Sequence, residues 1–295
     1  MPAHLLGPHV VGQRVVVRRV LVGETGPTGG PAFTDVLGIC ESWADGVAVI
    51  RPESGPPVEI PIELIVSGKP VPPRASARQR ISVRDAELHT AALTRGIEIS
   101  TLGEWQFRYE PAPAGRVRSR FNSCLAMGSP GLAIDEALTA VVEFYAARGR
   151  TPQVQVEAGS AIDAEIRSAG WRPVPGKDSV FMLGSLAQVR RRLPTAPPRL
   201  AVTADGPYLA VHTSEASGDA GLDGDWIGLH GLVVDPGHRR TGLARAVIAA
   251  LLEAGAEQGA TTVWLHVETT NAPALALYDS LGFAEHHRCR YYATD

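Results

Sequence analysis

The chain has 295 residues, enough for about two domains of roughly 100–200 residues each. Its 28 basic and 31 acidic residues give a net charge of −3, which argues against binding nucleic acid or another polyanion by bulk charge. The three cysteines are far apart in the sequence, which argues against a disulfide framework. We find no apolar run long enough to span a membrane and no signal-peptide pattern, so we expect a cytoplasmic protein without a membrane partner.

Residues 1–70 are rich in short β-type segments that are separated by Gly-rich turns. The predicted strands are Val10–Val22, Val36–Glu41, Gly46–Arg51 and Val58–Val66. This spacing favours a small barrel, and the layout resembles an SH3-like β-barrel, although the pattern alone also fits an OB-like barrel. Residues 71–80 are rich in Pro and Arg and are predicted to form a linker.

Residues 81–175 form a second predicted region of mixed helices and strands. The predicted helices are Ser82–Arg95, Ile134–Arg148 and Ala161–Ala169, and the predicted strands are Trp105–Tyr109, Val117–Phe121 and Gln153–Glu157. Ser82 and Asp85 are placed to accept hydrogen bonds at the start of the first helix.

Residues 176–295 form a third predicted region with the same alternation. The predicted strands are Val180–Leu183, Leu200–Thr203, Tyr208–His212, Trp226–Val234, Thr262–Glu268 and Arg288–Ala293, and the predicted helices are Leu243–Gly255 and Asn271–Leu281. The second and third regions share the order helix, strand, helix and Gly-aromatic pair, ending at Gly170–Trp171 and Gly282–Phe283. We interpret this order as a duplication, with two ordinary α/β units as the alternative.

The segment Arg239–Ala244 carries the clearest chemical signal, because it follows a predicted strand and opens an amphipathic helix. The first N–H groups of a helix lack intrahelical partners and, together with the helix dipole, attract an anion. Gly242 and Ala244 leave room for a phosphate close to the backbone, and Arg239 and Arg240 add positive charge at the rim. The segment therefore predicts a pyrophosphate cradle.

The pattern Arg239-x-x-Gly242-x-Ala244 resembles the signature of the GNAT superfamily, the acetyl-CoA-dependent N-acetyltransferases. The surrounding features stand in the family's order, from Val233–Pro236 before the loop to Asn271 after the next strand and Tyr278–Phe283 at the close. The resemblance implies a GNAT fold for residues 176–295, a mixed central sheet with flanking helices of the α+β or α/β class. It also implies acetyl-CoA as cosubstrate, and we expect no metal.

The resemblance extends in part to residues 81–175, which look like a degenerate GNAT half. The corresponding loop, Ser129–Asp135, lacks the signature, and Asp135 and Glu136 would repel phosphates. We therefore expect this half to complete the fold and wall the acceptor cleft without binding acetyl-CoA.

The GNAT resemblance implies roles for individual residues. Those implied to bind acetyl-CoA are Leu232, Val233, Val234, Arg239, Arg240, Thr241, Gly242, Leu243, Ala244, Arg245 and Asn271. Tyr278 is implied to protonate the departing CoA thiolate, with core packing as the alternative. Glu268 and His230 are candidate general bases. The alternatives are a solvated strand-end charge for Glu268 and a hydrogen-bonded core histidine for His230.

Two further clusters have less specific patterns. Arg120, Asn122 and Ser123 lie at the end of a predicted strand and are candidates to bind the carboxylate and amide-sized groups of a small acceptor, with a solvated edge strand as the alternative. His286-His287 and Cys289 contain metal-ligand types, but without a second cluster we expect an exposed strand edge. Cys124 and Cys289 are expected to be chemically inert.

Nearly the whole chain resembles a two-part acetyltransferase family of high-GC bacteria, whose members are described as N-acetylglutamate synthase-like or histone-acetyltransferase-like. The leading hypothesis is acetyl transfer to the amino group of a small amino acid, with glutamate as the first candidate. A protein N-acetyltransferase whose barrel recruits the target is the second hypothesis. A non-catalytic acetyl-CoA sensor or nucleic-acid-tethered module is the third. The sequence leaves the oligomeric state open, a homodimer included.

Overall fold

A computed structural model describes residues 6–26, 29–52, 54–71, 78–113, 115, 117–195 and 200–294. The chain divides into two compact units, Met1–Ala75 and Ser76–Asp295, which are described separately. Among the described residues, no helix combines the length and apolar character needed to cross a membrane.

The described part of the first unit holds one antiparallel sheet. Its strands are β1 (Arg14–Thr25), β2 (Pro31–Ala44), β3 (Val47–Pro52), β4 (Val58–Pro61) and β5 (Ile65–Pro70), in the order β4-β3-β2-β1-β5. The predicted barrel is not confirmed, because the described residues give an open sheet without a pairing between the edge strands β4 and β5. A 3₁₀ turn at Ile62–Leu64 divides the strand that was predicted over Val58–Val66. The predicted linker, residues 71–80, lies largely outside the described residues.

The second unit contains the remaining helices and strands. The helices are α1 (Val83–Leu88), α2 (Ile134–Ala146), α3 (Ala161–Ser168), α4 (Leu186–Arg191), α5 (Leu243–Glu257) and α6 (Ala272–Leu281). The strands are β6 (Glu98–Leu102), β7 (Trp105–Tyr109), β8 (Cys124–Leu125), β9 (Gln153–Glu157), β10 (Arg172–Pro173), β11 (Ser179–Ser185), β12 (Thr203–Asp205), β13 (Tyr208–His212), β14 (Ala216–Asp223), β15 (Trp226–Val234), β16 (Thr262–Glu268) and β17 (Ala284–Ala293).

These strands form one mixed sheet in the order β12-β13-β14-β15-β16-β11-β17-β9-β8-β7-β6, with β10 paired to β17. Two neighbouring pairs are parallel, β15 with β16 and β8 with β9, and the other pairs are antiparallel. Helix α5 connects the first parallel pair and α2 connects the second, so each half contains one β-α-β unit. This arrangement confirms the predicted fold class, a mixed sheet with flanking helices.

The last strand belongs to both halves of the sheet. Strand β17 pairs with β11 along Ala284–Cys289 and with β9 along Cys289–Ala293. It is therefore an interior strand, and its side chains are packed from both directions along the sheet.

The helices cover opposite faces of this sheet. Residues of α5 and α6 pack with Val180, Met182 and Val263 in the largest apolar cluster. Because side chains alternate along a strand, Phe181 and Trp264 point to the other face, where they pack with Ala86 of α1. Helix α1 thus lies on the face opposite α5.

Several predicted elements differ from the observed ones. The strand predicted over Val117–Phe121 is wrong, because Ser119–Phe121 forms a 3₁₀ turn. The helix predicted over Ser82–Arg95 ends at Leu88 and continues as a 3₁₀ segment, His89–Leu93, although its predicted cap is confirmed by a 3.0 Å hydrogen bond from the Asp85 N–H to Ser82 Oγ. Strands β6 and β14 were not predicted, and β14 contains mainly Ala, Gly and Asp, which have low strand propensity.

Candidate functional site

Strands β15 and β16 separate partway along their length. They pair in parallel from Trp226–Leu229 to Thr262–Leu265, and among the described residues they pair no further. Beyond that point Val233 and Val234 still pair with β14 on the opposite edge. Within the described residues, the backbone edge of Leu232–Val234 that faces away from β14 is therefore not paired with another strand.

The loop between β15 and α5 is held by its own side chains. Asp235 Oδ1 accepts from the Gly237 N–H at 2.9 Å, and Thr241 Oγ1 donates to the His238 carbonyl at 2.6 Å. Gly242 is the N-cap of α5, has φ +88°, and offers no side chain to the N–H groups of the first turn. A Cβ at Gly242 would meet no atom within 4 Å, so the space in front of these N–H groups is open.

Charge around this loop is positive. Arg239 and Arg240 are exposed, and Arg240 has φ +63°, a left-handed conformation that costs a non-glycine residue roughly 1 kcal/mol. Arg239 Nε lies 3.4 Å from the Val234 carbonyl, which brings this guanidinium back toward the open strand edge. Together with the uncapped helix N-terminus, the arginines form a setting that fits a pyrophosphate.

Other residues predicted to bind the cofactor have structural contacts. Leu243 is buried in the main apolar cluster, so only its backbone faces the loop. Arg245 Nη2 donates to Ser280 Oγ at 2.7 Å and joins α5 to α6. Asn271 Oδ1 accepts from the Ala274 N–H at 3.2 Å and caps α6.

Tyr278 lies on α6 and is 8% exposed. Its ring contacts Phe283 edge-on, with 5.5 Å between the ring centroids, which agrees with a packing role. Within the described part of the chain, however, no hydrogen bond is assigned to its hydroxyl, and burial raises the pKa of Tyr278 to about 12. The phenol is therefore protonated at neutral pH and can donate a hydrogen bond to a ligand.

A small pocket lies beside the separated strands. It is lined by Arg118, Ser119, Arg120, Lys177, Ser179, Glu268 and Tyr291. The pocket brings together two predicted site residues, Arg120 and Glu268, which are far apart in the sequence. It places three cationic side chains around one carboxylate, an arrangement suited to a ligand that carries both a carboxylate and an ammonium group.

His230 connects this pocket to β15. Its Nδ1 lies 3.2 Å from Arg118 Nη1, and the ring also bonds the Leu93 backbone. Burial first, and then the charges of Arg118 and Arg120, lower the pKa of His230 to about 4, against the opposing effect of Asp219. The neutral ring thus accepts a hydrogen bond from Arg118 and helps to position that guanidinium.

The other two predicted acceptor residues do not line the pocket. Asn122 is buried, accepts from the Glu110 N–H at 3.2 Å and donates to the Arg118 carbonyl at 3.2 Å. Ser123 is fully buried, and its carbonyl lies 3.4 Å from Arg108 Nε. Asn122 and Ser123 therefore lie between the 3₁₀ turn at Ser119–Phe121 and strand β8, where their hydrogen bonds hold the turn that carries Arg120.

Sequence reasoning missed Arg118, Lys177, Ser179 and Tyr291 as pocket residues. Two signals were available. Arg118 stands two positions from Arg120, and Lys177 is one of two lysines in an Arg-rich chain. Ser179 gave no signal, because its position depends on the insertion of β11 between β16 and β17.

The expectation of an exposed strand edge at His286, His287 and Cys289 is wrong. His287 and Cys289 are buried on the interior strand β17, where both contact Glu87 of α1. Burial raises the pKa of the thiols of Cys124 and Cys289, in keeping with the expectation that they are inert.

The fold and this site define a class of protein. The chain superimposes on a GCN5-related N-acetyltransferase from Kribbella flavida with a TM-score of 0.54 and 16% identity, covering 72% of this chain and 95% of that one. Residues 200–292 match the family model described as "Probable histone acetyltransferase Rv0428c C-terminal". The chain is therefore similar to the GNAT N-acetyltransferases in its fold and over residues 200–292, in agreement with the signature at Arg239–Ala244.

More particular similarities come from two relatives. The chain is 29% identical over 296 aligned residues to the "Probable histone acetyltransferase Rv0428c" of Mycobacterium tuberculosis, an alignment that covers 92% of this chain and 93% of that protein. It is 45% identical over 67 residues to the "[Ribosomal protein bS18]-alanine N-acetyltransferase" of Escherichia coli. That second match spans 22% of this chain and 45% of the relative, less than half of its length.

Proposed function

We propose that the chain transfers the acetyl group of acetyl-CoA to the amino group of a small amino acid, with glutamate as the first candidate. One observation carries the proposal. The pocket beside the open edge of β15 gathers Arg118, Arg120 and Lys177 around Glu268. A free amino acid offers a carboxylate to the cations and an ammonium to Glu268, and glutamate offers a second carboxylate.

The cosubstrate side of the proposal rests on the loop before α5. The uncapped N–H groups behind Gly242 and the exposed guanidinium groups of Arg239 and Arg240 would hold the pyrophosphate of acetyl-CoA. The open backbone of Leu232–Val234 would pair with the pantetheine arm. Acetyl-CoA would supply the activated acetyl group, and the chain would supply position and charge.

The chemistry would be direct attack of the neutral amine on the thioester carbonyl. The ammonium loses one proton before attack, and the nitrogen loses a second proton as the amide forms and the C–S bond breaks. Tyr278 would act as general acid by giving its phenolic proton to the leaving sulfur, and the second proton lost by the nitrogen would restore the phenol. Because burial raises the pKa of Tyr278 to about 12, the proton is present throughout the physiological range.

A protein acceptor is the second candidate, and the relatives favour it. One matching relative is named for acetylation of a ribosomal protein's alanine and another is named a probable histone acetyltransferase. The amino terminus of a protein carries a peptide carbonyl where a free amino acid carries a carboxylate. A free amino acid therefore gives the cationic side chains of the pocket a carboxylate partner, and the amino terminus of a protein does not.

The test measures release of the CoA thiol with acetyl-CoA and a panel of amines. We expect glutamate to accelerate release more than its α-carboxamide does, and Arg120→Ala to raise the KM for glutamate about 10–100-fold, since charge-assisted hydrogen bonds contribute roughly 1.5–3 kcal/mol. The KM for acetyl-CoA should stay unchanged, and Arg95→Ala, which removes an exposed ion pair with Asp205, serves as the control. Release with peptides but with no amino acid would reject the small acceptor in favour of the protein.

A further inference from the structure

A buried polar cluster lies on the α1 face of the sheet. Its centre is Glu87, which is fully buried and whose Oε1 lies 3.0 Å from His287 Nε2, 3.1 Å from His266 Nε2 and 3.1 Å from Cys289 Sγ. The three neighbours come from β16 and β17, and Glu87 comes from α1. A carboxylate buried in this way requires charged or hydrogen-bonded partners, and this one has three on a single oxygen.

The contacts of the two adjacent histidines determine where protons lie. His286 Nε2 is 3.1 Å from the Ile81 carbonyl, so this nitrogen carries hydrogen. Burial and the neighbouring His287 charge lower the pKa of His286, which leaves its Nδ1 as an acceptor for His287 Nδ1 at 2.7 Å. His287 Nδ1 therefore donates to His286, and the other ring nitrogen of His287, Nε2, lies 3.0 Å from Glu87 Oε1.

Glu87 is correspondingly ionised. Burial alone would raise the pKa of Glu87, but His266 and His287 outweigh it and hold the pKa well below its ordinary range. Glu87 therefore faces His287 as a carboxylate, and the same oxygen also lies 3.1 Å from His266 Nε2.

His266 is the neutral member of the cluster. Its side chain is fully buried, and burial, then the charges of Arg120 and His287, lower the pKa of His266 against the opposing effect of Glu87. The neutral ring places its hydrogen on Nε2, the nitrogen that lies 3.1 Å from the Glu87 carboxylate, and leaves Nδ1 as an acceptor. That Nδ1 lies 3.3 Å from Ser179 Oγ, so the serine hydroxyl donates to it.

Ser179 brings this chain of contacts to the acceptor pocket. It lies opposite Glu268 in the register of β11 and β16, and both residues line the pocket with Arg118 and Arg120. Because the Ser179 hydrogen points to His266, the lone pairs of its oxygen are left to accept a proton. The sequence from pocket to interior is hydroxyl, imidazole and carboxylate, the order used to activate serine in hydrolases.

We propose that Ser179, His266 and Glu87 form a proton relay, in which Ser179 accepts a proton from the acceptor's ammonium group and passes its own hydroxyl proton to His266. The relay rests on the proposed function and assigns the role of general base to residues other than the two sequence candidates, Glu268 and His230. One N–H bond of the ammonium breaks and one O–H bond forms at Ser179. At the same time the original O–H bond breaks and an N–H bond forms at His266 Nδ1.

The new imidazolium is stabilised by the negative charge of Glu87, whose Oε1 lies 3.1 Å from His266 Nε2. The neutral amine that remains in the pocket attacks the thioester. After product release, the stored proton returns through Ser179 to the solvent, which balances the reaction. The groups that face His266 are Glu87 from α1, His287 from β17 and Arg120 from the turn before β8. Burial first, and then Arg120 and His287, lower the pKa of His266, so that this ring begins each cycle unprotonated.

The test replaces His266 with glutamine, which can accept from Ser179 and donate to Glu87 but cannot hold the proton. We expect His266→Gln to lower kcat at pH 7 by about 10²-fold, a typical effect of losing a general base, while the Kd for acetyl-CoA stays unchanged. The deficit should shrink as the pH approaches the acceptor's own amine pKa, because the acceptor then enters the pocket already neutral. His89→Gln is the matched control, since His89 also pairs with a carboxylate, Asp223, but lies outside the pocket lining.

Ser179→Ala and Ser179→Thr provide a second readout that leaves the side chains of Glu87, His266 and His287 in place. The alanine variant should reproduce the pH-dependent deficit, and the threonine variant, which keeps the hydroxyl, should retain most of the activity. A deficit that is constant at every pH would overturn the relay, and so would acetylation of Ser179 itself in intact-mass measurements without acceptor. A wild-type chain that releases CoA with no amine at any pH would overturn the proposed function as well, which distinguishes the two failures.

Discussion

The two halves of residues 76–295 contain the same β-α-β arrangement but begin their helices differently. Helix α5 begins at Gly242 with an open first turn and exposed arginines before it. Helix α2 begins after Ala133 with Asp135 and Glu136 in its first turn. Both helix dipoles favour negative charge, but in α2 the protein's own carboxylates supply that charge. The backbone arrangement alone therefore does not create an anion site.

The halves also differ in the use of a buried tyrosine on a helix. The hydroxyl of Tyr145 on α2 donates to the Arg108 carbonyl at 3.0 Å and accepts from the Arg108 N–H at 3.2 Å. Tyr278 on α6 has a similar degree of burial and, in the described part of the chain, no such partner. One phenol ties a helix to a strand, and the other is left with a free donor.

The largest expected effect tests the difference between the helix starts. Gly242→Glu places a carboxylate in the open space before α5, and we expect it to weaken acetyl-CoA binding at least about 100-fold, measured by isothermal titration calorimetry, because this carboxylate would meet the negative pyrophosphate at close range. Gly131→Glu is the matched control. Gly131 also has positive φ and open space around its Cβ position, and it precedes α2.

Both variants incur the strain of a side chain at positive φ, so their thermal stabilities should fall by similar amounts. Only Gly242→Glu should affect binding. Equal loss of affinity in the two variants would show that the two loops are not functionally different.

The next largest effect concerns the two tyrosines. Tyr278→Phe keeps the ring contact with Phe283 and removes the donor, so we expect kcat to fall roughly 10²-fold with little change in the Kd for acetyl-CoA. Tyr145→Phe should leave kcat unchanged and lower the free energy of unfolding by about 1 kcal/mol through loss of buried hydrogen bonds. Unchanged turnover in Tyr278→Phe would assign this side chain to packing alone.

The smallest effect on activity is expected from a substitution in helix α3, at Asp163. Asp163 of α3 accepts hydrogen bonds from Tyr292 and from the Gly159 N–H, at 2.5 and 2.7 Å, and thereby joins α3 to β17. Burial alone would raise the pKa of Asp163, but these bonds and Arg290 outweigh it and lower the pKa. We expect Asp163→Asn to lower the free energy of unfolding by about 2 kcal/mol at pH 7 without altering acetyl-CoA affinity.

The lowered pKa of Asp163 determines how the stability difference between wild type and Asp163→Asn depends on pH. The native carboxylate contributes stability at pH values above the ordinary aspartate pKa of about 3.9 and loses it as the pH falls through the lower native pKa. Denaturation curves of wild type and Asp163→Asn should therefore converge in acid. Asp205→Asn, at an exposed ion pair, should differ little from wild type at any pH.

Much of the sheet could be predicted from the sequence. Five strands were predicted with their observed bounds, because each carries a strong β pattern between turn signals: Trp105–Tyr109, Gln153–Glu157, Tyr208–His212, Trp226–Val234 and Thr262–Glu268. Strand β14 escaped prediction because its Ala, Gly and Asp residues form a strand only between two strong neighbours, β13 and β15. The sharing of β17 between the halves has no local signal at all.

The candidate site also has one part that the sequence predicts and one part that it does not. The loop at Arg239–Ala244 is a local motif and was found from sequence. The acceptor pocket and the proton relay depend on elements that are distant in the sequence and become neighbours only through the strand order. Glu87, Ser179 and His266 come from α1, β11 and β16, so no spacing rule could have joined them.

We infer that one of the two β-α-β halves of residues 76–295 binds acetyl-CoA and that the other completes the fold. Calorimetric titration of the wild-type chain with acetyl-CoA tests it most directly by counting sites. The account predicts one site per chain, lost in Gly242→Glu and retained in Gly131→Glu. Two sites per chain, or one site that survives Gly242→Glu, would contradict it.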